Sequence, residues 1–75
     1  MPAEHPEWER LACQKQGDRL RQAREHAHLS QEKLAEKAAL GRSTVQRIES
    51  GEGIKYIHLI RIARALDVDV ADLVR

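Results

Sequence analysis

Apolar residues recur three and four apart along most of this chain, and no stretch alternates with period two for long enough to build a sheet. Trp8, Leu11 and Ala12 fall on one helical face, and Leu20, Ala23 and Ala27 continue at helical spacing. Pro6 fits a first helical turn, and Glu7 and Glu9 suit the positive end of a helix dipole. Gly17 interrupts the run at a cost of roughly 1 kcal/mol relative to Ala. The pattern admits one helix over about 6–27, or two helices divided near Gly17-Asp18. The continuous helix is favoured, because every other residue from 7 to 27 tolerates helix.

After a corner at His28-Leu29-Ser30, Ser30 caps a second helix over about 31–38, with Leu34, Ala35 and Ala38 apolar. Gly41 permits a sharp restart. The third helix, about 42–50, buries Val45 and Ile48 on one face. At about 100° per residue the opposite face holds Ser43, Gln46, Arg47 and Ser50, next to Arg42. These are hydrogen-bonding groups of a size that reaches base edges and phosphates. Gly51-Glu52-Gly53 is a break. A fourth helix, about 55–66, carries Ile57, Leu59, Ile60, Ile62, Ala63 and Leu66 and supplies most of the core. Asp69 caps a last short helix over 70–74, with Asp72 in its first turn. The expected fold is all-α, with five helices.

Residues 30–51 read SQEKLAEKAALGRSTVQRIESG. This segment resembles the helix-turn-helix of the Cro and lambda-repressor-like family, the xenobiotic-response-element type. Ser30-Gln31 opens the second helix, Leu34-Ala35 lies inside it, and Ile48-Glu49-Ser50-Gly51 closes the third. Leu59-Ile60-Arg61-Ile62-Ala63-Arg64-Ala65-Leu66 is similar to the family's fourth helix. A bare helix-turn-helix pattern is weak, but the three blocks at these spacings are much more specific. The resemblance covers about residues 17–75. It implies a compact lambda-repressor-like DNA-binding domain there, with residues 1–16 as a helical extension.

The resemblance carries base contacts onto Arg42, Ser43, Gln46 and Arg47. It implies phosphate contacts at Gln31, which also braces the recognition helix, and at Ser50 and Lys55 in and after the end of the third helix. Tyr56 either joins them or belongs to the core. The family often pairs an Arg on helix one with a Glu near the end of helix three; those positions are Arg24 and Glu49 here. The chain departs from the pattern at Ala39 and Asp67, where the family often has Gly, and at Gly41, where it often has Ser or Thr. A left-handed Ala39 costs about 1 kcal/mol.

Seventy-five residues allow one domain with a small core. With no Phe, one Trp and one Tyr, that core must be aliphatic. The net charge is only +1, and residues 17–54 hold seven Lys/Arg against six Asp/Glu. Any electropositive face must therefore come from arrangement. Cys13 is alone, so it forms no intramolecular disulfide and fits a reducing compartment. The acidic, polar opening is unlike a secretory signal, and no apolar run is long enough to span a bilayer, so a cytoplasmic location is expected. His5, His26, His28 and His58 lack metal-ligand spacing, Asp69 and Asp72 read as capping residues, and no catalytic set or cofactor fingerprint occurs.

The expected function is sequence-specific transcriptional regulation. Helix 42–50 enters the major groove of double-stranded DNA, and a homodimer binds an inverted repeat. No metal, cofactor or enzymatic activity is expected. The dimer surface is expected on helices four and five, around Val68, Val70 and Val74, or on the Trp8 extension. Trp8 is expected to be buried, on the domain or across a dimer interface. The alternative is a protein-binding module, an antitoxin or a helical adaptor, working through the Trp8–Leu11–Ala12 face.

Overall fold

The computed structural model describes residues 6–74, all in helices, turns and loops. The helices are α1 (Glu7–His26), α2 (Gln31–Ala38), α3 (Arg42–Glu49), α4 (Tyr56–Leu66) and α5 (Val70–Val74). α1 is continuous through Gly17. The first five residues of the expected extension, His5 among them, lie outside the described residues.

The aliphatic stripes of the helices meet in one core. Leu20, Leu34, Val45, Ile62 and Leu73 are its fully buried side chains, one from each helix. α2 packs on α3 and α4, while α1 packs on α3 and α5. α3 is thereby gripped from behind by two helices, and its other side is left to solvent.

Three helices end in the same way. α1, α2 and α4 each run into a residue with positive φ that is not glycine: His28 (60°), Ala39 (58°) and Asp67 (59°). The next residue's N–H then turns back to a carbonyl five residues earlier: Leu29 to Arg24, Leu40 to Ala35 and Val68 to Ala63, at 2.8–3.2 Å. Leu29, Leu40 and Val68 pack against the core, the apolar contact that accompanies this type of helix stop. That contact outweighs the left-handed cost at His28, Ala39 and Asp67.

Gly17 has a different reason. A Cβ there would stand 2.5 Å from the carbonyl oxygen of Ile48 and 2.9 Å from that of Glu49. α1 therefore crosses the end of α3 at backbone contact, and only glycine fits.

The expected burial of Trp8 is not met within the chain. Trp8 is 70% exposed, Leu11 is 50% exposed and Ala12 is exposed. The turns of α1 before Gly17 extend past the core, and of this stripe only Ala12 comes beside another helix, at a groove between α1 and α5. The molecule's long axis is 40 Å, against 23 and 19 Å across.

Candidate nucleic-acid interface

Ser30 fixes the start of the interface. Its Oγ accepts from the Lys33 N–H at 3.0 Å, which begins α2 at Gln31. The stop at Ala39 and the extended Gly41 then set the turn into α3. Within α3, Val45, Ile48 and Glu49 are buried, whereas Arg42, Ser43, Gln46 and Arg47 are exposed. Among the described residues, Arg42, Ser43 and Gln46 make no intramolecular side-chain hydrogen bond, and Arg47 reaches only Thr44 Oγ1, at 3.5 Å. A helix face of unspent donors and acceptors is what base recognition uses.

Glu49 is 6% exposed and is the buried acid behind this face. Arg24 Nε donates to its Oε2 at 2.6 Å and Nη2 donates to Oε1 at 3.1 Å. Arg24 Nη1 donates to the Leu29 carbonyl at 2.8 Å. Gln31 Nε2 donates to Glu49 Oε1 at 3.0 Å. The network ties α1, the corner before α2, the first residue of α2 and the last residue of α3. The pKa of Arg24 is raised, first by its hydrogen bond to Glu49 and also by that carboxylate's charge, against the opposing effect of burial. Arg24 is thus held as a cation. No buried side-chain polar atom lacks a partner among the described residues.

The bond from Gln31 to Glu49 braces the recognition helix from the first residue of α2, a contact of the kind the family resemblance implies for Gln31. It uses one of the two amide protons of Gln31 and leaves the other for a ligand. Ser50 caps α3: its hydroxyl donates to the Arg47 carbonyl at 2.9 Å. A phosphate takes that proton only if the hydroxyl rotates. Lys55 precedes α4 and is exposed, with no side-chain partner among the described residues. Tyr56 is 69% exposed, so of its two readings the core is ruled out. Arg47 and Lys55 line one cleft with Thr44 and His58, a residue that sequence reasoning did not assign to DNA. Arg42 and Gln31 line another with Ser30 and Arg24. The candidate residues thus flank the exposed face of α3 on both sides.

Among the described residues no cluster of three metal-ligating side chains occurs, and no helix is long and apolar enough to cross a membrane.

Five helices with a capped α2, a tight turn and an outward polar α3 define a helix-turn-helix DNA-binding domain. The helix-turn-helix family of the Cro/C1 type matches residues 20–73, and the chain belongs to it. Among solved structures, the chain is similar to the restriction-modification controller protein C.AhdI from Aeromonas hydrophila. The identity is 36% and the TM-score 0.82, over 84% of this chain and 97% of that one. A comparison with curated proteins finds no match. The chain is a DNA-binding transcription regulator, in a family of regulators rather than enzymes. That decides against a protein-binding module in place of DNA binding.

Proposed function

We propose that the chain binds an inverted repeat as a homodimer, with α3 of each copy in the major groove. The observation that carries this reading is the exposed face of α3, with its hydrogen-bonding capacity almost wholly unspent. Arg42 and Arg47 suit guanine through a bidentate fork, and Gln46 suits adenine. Gln31, Ser50, Lys55 and Tyr56 take the flanking phosphates, helped by the free N–H groups at the start of α2. Glu49 makes no contact with DNA; it is the internal partner of Arg24 and Gln31.

For the dimer we favour the outer face of α4. Ile57 is 51% exposed beside Tyr56, on a helix whose opposite side is core. Of Val68, Val70 and Val74, named from sequence, the first two are half-buried against the chain's own core and Val74 alone is exposed, on the short α5. The likeness to a restriction-modification controller protein supports the same duty here, control of restriction-modification.

Selection of bound sites from random duplex DNA tests the reading. A short inverted repeat is expected. Enrichment of single half-sites with no fixed spacing would remove the dimer from the reading, and no enrichment at all would remove sequence-specific recognition. In sedimentation, Ile57→Asp is expected to shift the protein towards monomer. An unchanged dimer would place the interface elsewhere.

A further inference from the structure

Trp8 lies outside the part of the chain that matches the helix-turn-helix family. It begins a seam of 4-3-4 spacing on the open side of α1: Trp8, Ala12, Lys15, Arg19. Beside the last three, a groove of about 170 Å³ runs between α1 and α5, with Gln16, Leu73 and Val74 completing its walls. Gln16 Nε2 donates to the Leu73 carbonyl at 2.6 Å and holds the two helices in place. Leu73 is buried at the floor, and Val74 is 51% exposed. A closed apolar cavity of about 150 Å³ takes up one benzene ring, so this open groove has room for the six-membered ring of an indole, with the rest of the side chain lying across its rim. The exposed indole of Trp8 is borne by the same face of the same helix.

We propose that Trp8 of one copy of this chain docks in the α1–α5 groove of a second copy, with the two α1 helices antiparallel. The direction follows from position and charge. Parallel helices would set Trp8 against Trp8 and leave both grooves empty. They would also oppose Glu7 and Glu9 to their own counterparts. An antiparallel pair closes around a two-fold axis near Leu11 and Ala12, and each indole reaches the other's groove. The first turn of one helix, where Arg10 already takes part of the charge of Glu7, then faces Lys15 and Arg19 of the other, and these cations flank the indole, an arrangement that favours a Trp ring. The surface is separate from the DNA-reading face and from the α4 face proposed for the dimer. It buries a Trp of roughly 150–250 Å² per copy, small beside the roughly 1,200 Å² of a stable interface. The contact is therefore weak in free solution and counts most where another contact already holds copies together.

Trp8 is the only tryptophan in the chain, so its emission reports this contact directly. In the full chain without DNA, emission is expected to move to the blue as protein concentration rises, in step with larger species in sedimentation. Dimerisation through α4 alone leaves Trp8 in water and does not move it. Val74→Glu and Ala12→Glu, both at exposed positions, are each expected to abolish the shift with the helical melting curve retained. Emission that stays red at every concentration overturns the proposal. So does a shift that appears only on adding duplex DNA and survives Val74→Glu, which would make the segment an arm on DNA. A shift that survives both substitutions shows that something other than this groove covers the indole.

Discussion

Arg47 stands in the middle of the exposed face of α3 and has only a 3.5 Å contact with Thr44 to lose. Arg47→Ala is therefore expected to leave the melting temperature nearly unchanged and to weaken binding to the selected site by about 1–3 kcal/mol. A filter or anisotropy titration beside a thermal melt checks both halves. Equal affinity of variant and parent would take Arg47 off the reading surface. Glu49, two residues on, is expected to behave in the opposite way. Its carboxylate accepts from Arg24 and Gln31 and is nearly closed to water. Glu49→Ala strands the half-buried Arg24 cation and is expected to cost about 3–5 kcal/mol of stability. A double-mutant cycle with Arg24→Ala should show coupling above about 0.5 kcal/mol; additive losses would mean that the pair contributes nothing as a pair.

The elements were legible because each carries a local signal: Ser30 as a cap, the Val45–Ile48 spacing, the Gly51–Gly53 break. What sequence did not show depends on partners far along the chain. Gly17 read as a blemish in a helix, worth about 1 kcal/mol to repair with Ala. The carbonyls of Ile48 and Glu49 that occupy its Cβ position belong to another helix. Gly17→Ala is therefore expected to destabilise, by about 1–3 kcal/mol after relaxation, and a higher melting temperature would show that the crossing of α1 and α3 is looser than this. Ala39 is the reverse case. Its left-handed φ of 58° is already strained for an L-residue. Ala39→Gly is expected to raise the melting temperature, with a gain of under about 1 kcal/mol after glycine's extra chain entropy is subtracted. Trp8 also eluded the pattern, for a third reason: periodicity reveals which residues share a face, not whether anything stands opposite that face.

Across the whole molecule, a net charge of +1 gives little long-range pull towards DNA. Affinity must then come from where the cations stand. Arg42, Arg47 and Lys55 are exposed around α3, whereas Arg24 is neutralised internally by Glu49. Glu7 with Arg10, Asp18 with Arg21 and Lys33 with Glu36 are exposed pairs within single helices and cancel locally. If Arg42 and Arg47 read bases, Lys55 is the principal cation left for phosphate on this surface, beside neutral Gln31, Ser50 and Tyr56. Each phosphate neutralised contributes about 0.9 to the slope of log affinity against log salt. A dimer is therefore expected to show a shallow slope for a DNA-binding protein, roughly −2 to −4. Lys55→Gln should flatten it by about 2, one for each copy, and weaken all sequences alike. Titrations at several salt concentrations measure this, on the selected site and on unrelated duplex. A steep slope that Lys55→Gln leaves unchanged would mean that other cations hold the backbone. Lys37, Arg61 and Arg64, which together rim a shallow concavity floored by Ala38, Ala39 and Ala65, are the next to examine.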